Sequence, residues 1–332
     1  MRLLFCLPAS RNIGQIDARL LGDLSLLGYP SGMCARFFLR LLLSLWLCLP
    51  LLSWAGPVLI GGTDADDHGS ATPTTNLGGW LYMQKVLETM APKVKNAQKK
   101  AVCIGCNGSV ASSAFHSAFD KSNLPGSGWT RIELTTVADI NAFFADTGVH
   151  KTSNTGLIYF PSDANNVAAG LSASQLDAIN LNANKLAEFV VTGGGLFTQT
   201  QQGFTQGYSW LKQLLPNLKV LDADIQTSNL LASTAMPLTF ALDAPTLAAA
   251  DQWHNYFDIS QGGLHVLATG KATVGGTVSD VPVLLGSADL LQFLEIAPKQ
   301  APLPAWFNVV LGVLLLLLVQ RRLRSRPTRH GA

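Results

Sequence analysis

Short apolar runs closed by glycine alternate with longer amphipathic stretches between residues 56 and 300. Pro57 to Gly62, Ala101-Val102-Cys103-Ile104-Gly105, Trp129 to Leu134, Gly156-Leu157-Ile158-Tyr159-Phe160 and Leu196-Phe197-Thr198 predict five strands. Helical spacing of apolar positions predicts helices over about 79–90, 109–121 and 138–146. A long helix is expected from Ser172 to Val191, with Gln175 three residues after Ser172 in a capping box and Gly193-Gly194-Gly195 closing it. Leu264 to Ala268 and Val281 to Leu285 predict two late strands, while residues 220–260 carry no regular pattern. Buried apolar runs alternating with amphipathic helices imply a mostly parallel sheet covered on both faces. The expected fold class is therefore α/β: a flavodoxin-like three-layer domain over residues 56–296 with a mostly parallel central sheet.

The two ends follow different rules. Arg36 and Arg40 precede an uncharged apolar run from Leu41 to Trp54, and Ser53 and Ala55 put small residues at the −3 and −1 positions. This is the layout of a secretory signal peptide over residues 33–55, cleaved after Ala55. The run is short of the ~20 residues a membrane helix needs. A signal peptide belongs at the start of a chain, so Met33 is the expected translation start and residues 1–32 an extension. At the other end, Ala301-Pro302-Leu303-Pro304-Ala305-Trp306 follows a linker, so that residues 297–304 hold linker and sorting motif. An apolar stretch over 305–320 is expected to form a transmembrane helix, and the Arg-rich tail 321–332 is expected to stay cytoplasmic. The layout resembles the PEP-CTERM class of sorting signals of Gram-negative bacteria and its Pro-Leu-Pro-Ala and Ile-Pro-Thr-Leu variants, although no Pro-Glu-Pro triplet occurs. That resemblance implies export machinery, the inner membrane and an exosortase-type sorting peptidase as partners. The domain is then expected in the periplasm, or released to the cell surface or extracellular matrix; a plain tail anchor predicts the same topology.

Charge sharpens this picture. The chain has 332 residues, 23 Lys+Arg and 21 Asp+Glu, a formal net charge of +2. Residues 56–300 carry 13 of the basic and 19 of the acidic residues, so the basic excess sits at the two ends. A nucleic-acid binder needs a basic face on its folded domain, and none is expected here. With 48% hydrophobic and 13% charged residues the chain has ample apolar surface to bury.

Gly193 to Thr198, placed after a helix ending in Glu188-Phe189-Val190, and the strand exit Gly156 to Asp163 resemble class I glutamine amidotransferase-like and ThuA-like domains, and secreted bacterial domains similar to them. Amidotransferases of this kind place a nucleophilic Cys on the sharp turn after the fifth strand. This chain has Thr198-Gln199-Thr200-Gln201-Gln202-Gly203 there, with neither Cys nor Ser. Without a thiolate the thiol chemistry cannot run, so no catalytic residue is assigned.

Asp64, Asp66, Asp67 and His68 form the densest ionisable cluster and follow the first strand, at the edge where open α/β sheets bind ligands. Three carboxylates suit a hard divalent cation such as calcium, with Asp64, Asp66 and Asp67 as metal ligands; a solvated acidic turn is the alternative. Asp163 at the fourth strand exit, Thr200, and His254 within Trp253-His254-Asn255-Tyr256 join Asp64, Asp67 and His68 as expected ligand-binding residues. Cys103 and Cys106 have redox-motif spacing, but Cys103 lies in an apolar strand, so a buried Cys103 and a partly exposed Cys106 are expected. Two functions compete. One is a binding or extracellular-matrix-associated module on a catalytically degenerate amidotransferase-like scaffold. The other is a metal-assisted hydrolase of an extracellular carbohydrate or peptide-like substrate.

Overall fold

A computed structural model describes residues 55–164, 170–199, 209–226, 231–232, 240, 242–250, 252–258 and 264–287. The extension, the signal segment up to residue 54, the linker and sorting motif, the expected membrane helix 305–320 and the basic tail lie outside the described residues. Among the described residues no helix is long and apolar enough to cross a membrane.

Five strands run parallel: β1 (Val58–Gly61), β4 (Lys100–Ile104), β5 (Thr130–Leu134), β6 (Leu157–Phe160) and β7 (Gly195–Gln199). Three more extend the sheet beyond β1 with antiparallel pairing: β12 (Thr277–Ser287), β11 (His265–Val274) and β9 (Leu231–Ala232). The order across the eight strands is β5-β4-β6-β7-β1-β12-β11-β9. The mostly parallel α/β fold expected from the pattern is present, with an antiparallel flank added. Gly275 and Gly276, at φ 58° and 82°, close the β11–β12 hairpin, which extends both late strands past their expected limits.

Period-two alternation assigns the strand residues to two cores. Leu59, Ala101, Cys103, Leu157, Tyr159 and Phe197 face a cluster with helices α1 (Gly79–Met90), α2 (Ser109–Asp120) and α6 (Ala244–Ala249). Val58, Ile60, Val102, Ile104, Ile158, Phe160 and Leu196 face α3 (Val137–Phe144), α4 (Ala173–Leu181) and α5 (Ala183–Val191). Helix α1 buries Tyr82, Met83, Val86, Leu87 and Met90, one face at helical spacing. Each such side chain contributes about 1.5–3 kcal/mol on burial, against at most ~1 kcal/mol for an exposed pair such as Lys185–Glu188. The two cores therefore hold the fold, and the surface ion pairs decorate it.

Three expectations are corrected. The long helix is two, because Asn182 turns its side-chain amide back to the Ala178 carbonyl at 2.8 Å and across to Asn141 at 2.9 Å, competing with the backbone ladder. The polar loop after β1 contains a small hairpin of β2 (Gly69–Ala71) and β3 (Asn76–Gly78). The stretch left unassigned around 220–260 supplies a two-stranded antiparallel sheet, β8 (Lys219–Gln226) with β10 (Gln252–Asp258), besides α6.

Candidate metal centre

In register, Gly61 of β1 faces Gln199 of β7, and Phe160 of β6 faces Thr198 of β7. The loop after β1, the exit of β6 and the end of β7 therefore meet at the carboxyl edge of the parallel strands. Strand β10 is brought to the same edge by backbone contacts. His254 N–H and Asn255 N–H both donate to the Gly62 carbonyl, at 2.6 and 3.0 Å, and Thr63 Oγ1 donates to the Ala250 carbonyl at 3.2 Å. Only glycine permits this approach, since a Cβ on Gly62 would overlap the Asn255 carbonyl oxygen.

That docking places His254 against the loop after β1. His254 Nε2 lies 3.1 Å from Asp64 Oδ1, and His68 Nε2 lies 3.3 Å from Asp64 Oδ2. Among the described residues, Asp64, His68 and His254 form a group whose ligand atoms all fall within 4.8 Å of one another. Asp64 is 1% exposed, His254 14% and His68 29%, so the group opens to solvent on the imidazole side. The Asp67 amide donates to the Asp64 carbonyl at 2.8 Å, a turn that folds His68 back over Asp64.

The two carboxylate–imidazole separations, 3.1 and 3.3 Å, are of the size a shared small divalent ion would set, and the whole group lies within 4.8 Å. Ligands at ~2.0–2.2 Å from a common centre, 90–110° apart, lie roughly 3–3.5 Å from each other. Two imidazoles and a carboxylate belong to the borderline transition metals, whereas calcium is held by six to eight oxygens. The chemistry of the group thus departs from the all-carboxylate calcium site expected from sequence.

Asp66 is placed elsewhere. It is wholly buried, and its carboxylate accepts from Ser162 N–H at 2.8 Å, Ser162 Oγ–H at 2.6 Å and Tyr159 Oη–H at 3.4 Å. Its own amide donates to Gln199 Oε1 at 3.3 Å, and Gln199 Nε2 donates to Tyr159 Oη at 3.0 Å. Trp80 Nε1 donates to the Asp66 carbonyl at 3.0 Å. Burial pushes the Asp66 carboxyl up to about 6; the Ser162 hydrogen bonds oppose that rise and the Asp64 carboxylate adds to it. The Tyr159 hydroxyl is raised well above its ordinary value, first by burial and then by Asp66.

The remaining expected residues are distributed around the same edge. Asp67 is half-buried and stands outside the three-residue group. Asp163 is buried in the β6 exit, bridged to Leu171 and adjacent to Ser162, and is likewise outside the group. Thr200 lies outside the described residues. Cys103 and Cys106 form a disulfide and both are fully buried, which corrects the partly exposed Cys106: the turn after β4 folds its sulfur into the α1–α2 core. A shallow cavity of about 290 Å³ lined by Pro92, Lys99, Leu124 and Trp129 sits at the opposite, amino edge of the sheet, away from these side chains.

The fold and centre together define an α/β domain with a carboxylate–imidazole cluster at the carboxyl edge of its sheet. Beyond that class, no family model, curated protein or solved structure matches the chain.

Proposed function

We propose that this protein is an exported, membrane-anchored or surface-sorted metal-dependent hydrolase, holding a divalent ion of the zinc class through Asp64, His68 and His254. The observation that carries this is the convergence of one buried carboxylate and one imidazole from the loop after β1 with a second imidazole from β10 at the ligand-binding edge. Three protein ligands leave a position for water or substrate, as in catalytic rather than structural zinc sites. Such an ion supplies Lewis acidity and lowers the pKa of a water it binds. The chain's part is to fix the donors: the Gly62–Asn255 contact delivers His254, and the Asp64–Asp67 turn delivers His68. Two features support export: the end signals in the sequence, and a buried disulfide, a bond that persists in oxidising compartments.

The test is zinc titration of the full chain in detergent by competition with a chromophoric chelator, followed by assay of the loaded protein on ester, glycoside and peptide substrates. Saturable one-to-one binding abolished in His254→Ala and Asp64→Asn, with hydrolysis lost in the same variants, is the expected result. Binding without hydrolysis favours the second reading, a binding module on a degenerate amidotransferase-like scaffold. Gln199 supports that reading, because the residue ending β7 spends its side chain on Tyr159 and Asp66 instead of presenting a nucleophile.

A further inference from the structure

The metal centre uses Asp64 and His68 but leaves the residue midway between them unused. Asp66 is hydrogen-bonded to residues of β6, its exit, β7 and helix α1. Its carboxylate takes both donors of Ser162, which begins the segment carrying Asp163 after β6. Its backbone amide takes Gln199 at the end of β7, and Gln199 closes the ring through Tyr159 of β6. Asp66, Ser162, Tyr159 and Gln199 are each at most 2% exposed. A carboxylate in such a place is strongly disfavoured unless hydrogen-bonded, and here its partners come from β6 and the segment that follows it, while its amide is held by β7. Ala65, next to it, is buried in the α1 core, so the turn is pinned on both sides at the point where it presents its two ligands.

We propose that Asp66 is the positioning residue of the centre: it does not ligate, but ties the loop bearing Asp64 and His68 to β6 and β7. Fixing the loop before the ion arrives removes an ordering cost from binding, so metal affinity depends on Asp66 although its oxygens face Ser162. The proposal rests on the metal reading above. It also makes the Ser162–Asp163 segment part of the same unit, so loss of either partner of the Asp66–Ser162 clamp should act in the same direction.

The experiment compares zinc dissociation constants of the full chain, in detergent and well below the melting temperature, for the parent, Asp66→Asn, Asp66→Ala, Ser162→Ala and His254→Ala. Asp66→Ala is expected to weaken zinc about ten- to a hundredfold, the range for groups that orient ligands. Asp66→Asn should stay within about threefold of the parent, because its amide oxygen accepts from Ser162 N–H and its amide nitrogen donates to Ser162 Oγ. A purely structural Asp66 would lower the melting temperature in chelator and leave the dissociation constant of the folded protein unchanged. Folded Asp66→Ala binding zinc within twofold of the parent overturns the proposal. Should Asp66→Ala fail to fold, Ser162→Ala and Gln199→Leu decide: weaker zinc binding in both sustains it, and unchanged binding in both overturns it. If the parent does not bind zinc, or His254→Ala binds as well as the parent, the metal reading fails and takes this proposal with it. If only the Asp66 and Ser162 variants are silent, the metal reading stands alone.

Discussion

Asp66 shows how one buried acid links stability to pH. With its carboxyl held near 6 instead of the ordinary 3.8, the folded state binds the proton more tightly than the unfolded state. The native protein therefore gains most from Asp66 below the unfolded value. That gain is lost as pH rises from about 4 to about 6, and stability is level in this respect above it. The span corresponds to on the order of 3 kcal/mol. Asp66→Asn has no such proton, so the difference in unfolding free energy between parent and variant, measured in chelator by denaturant titration, should change with pH across that window and be flat from pH 7 to 8. A parallel pair of curves from pH 4 to 7 would contradict it. A cation held by Asp64 and His68 favours the ionised form of Asp66, so adding zinc should shift the window down.

At the scale of elements, the carboxyl edge depends on one close approach. Strand β10 reaches the loop after β1 only because Gly62 has no side chain where the Asn255 carbonyl passes. Gly62→Ala should cost about 1–3 kcal/mol of stability through overpacking, and it should weaken zinc binding by moving His254 off Asp64. Unchanged stability with unchanged zinc affinity would show that the two segments separate without consequence.

The same contact marks what the sequence could reveal. Strands β1 and β6 were legible because each is an apolar run buried on both faces, and the helices because their buried positions recur at helical spacing. Strands β8 and β10 were not, since Lys219, Asp222, His254 and Asn255 break any alternation and the pair is stabilised by each other across a long insertion. Asp64 and His68 stood out by density. His254 stood out as part of a separate aromatic cluster, but nothing in its neighbourhood announces that it meets Asp64. Asp66, expected beside them as a ligand, stands outside the three-residue group for the opposite reason. Three acids within four residues look like one ligand set, and only the hydrogen bonds to Ser162 commit the middle one to the β6 exit.

For the molecule as a whole, the Cys103–Cys106 bond ties stability to redox conditions. It joins the end of β4 to the turn leading into α2, and both sulfurs are sealed in the α1–α2 core. Closing so short a loop gives about 2 kcal/mol in the chain-entropy account. Because neither sulfur is exposed, a reductant should reach the bond only through unfolding, which makes the disulfide resistant in the native state and labile in denaturant. The oxidised protein should accordingly resist alkylation at both cysteines under native conditions, even with reductant present, and become doubly alkylated once denatured and reduced. The Cys103→Ser, Cys106→Ser double variant should melt lower by roughly 4–8 °C, from about 2–4 °C per kcal/mol for a domain of this size. It should keep its zinc affinity, since neither sulfur is a ligand in the centre. Rapid native-state alkylation after mild reduction would mean that the turn after β4 opens without global unfolding. The bond would then serve as a redox-sensitive hinge, and its reduction would be expected to disturb the Tyr159–Asp66 network through the β4–β6 pairing of Cys103 with Tyr159.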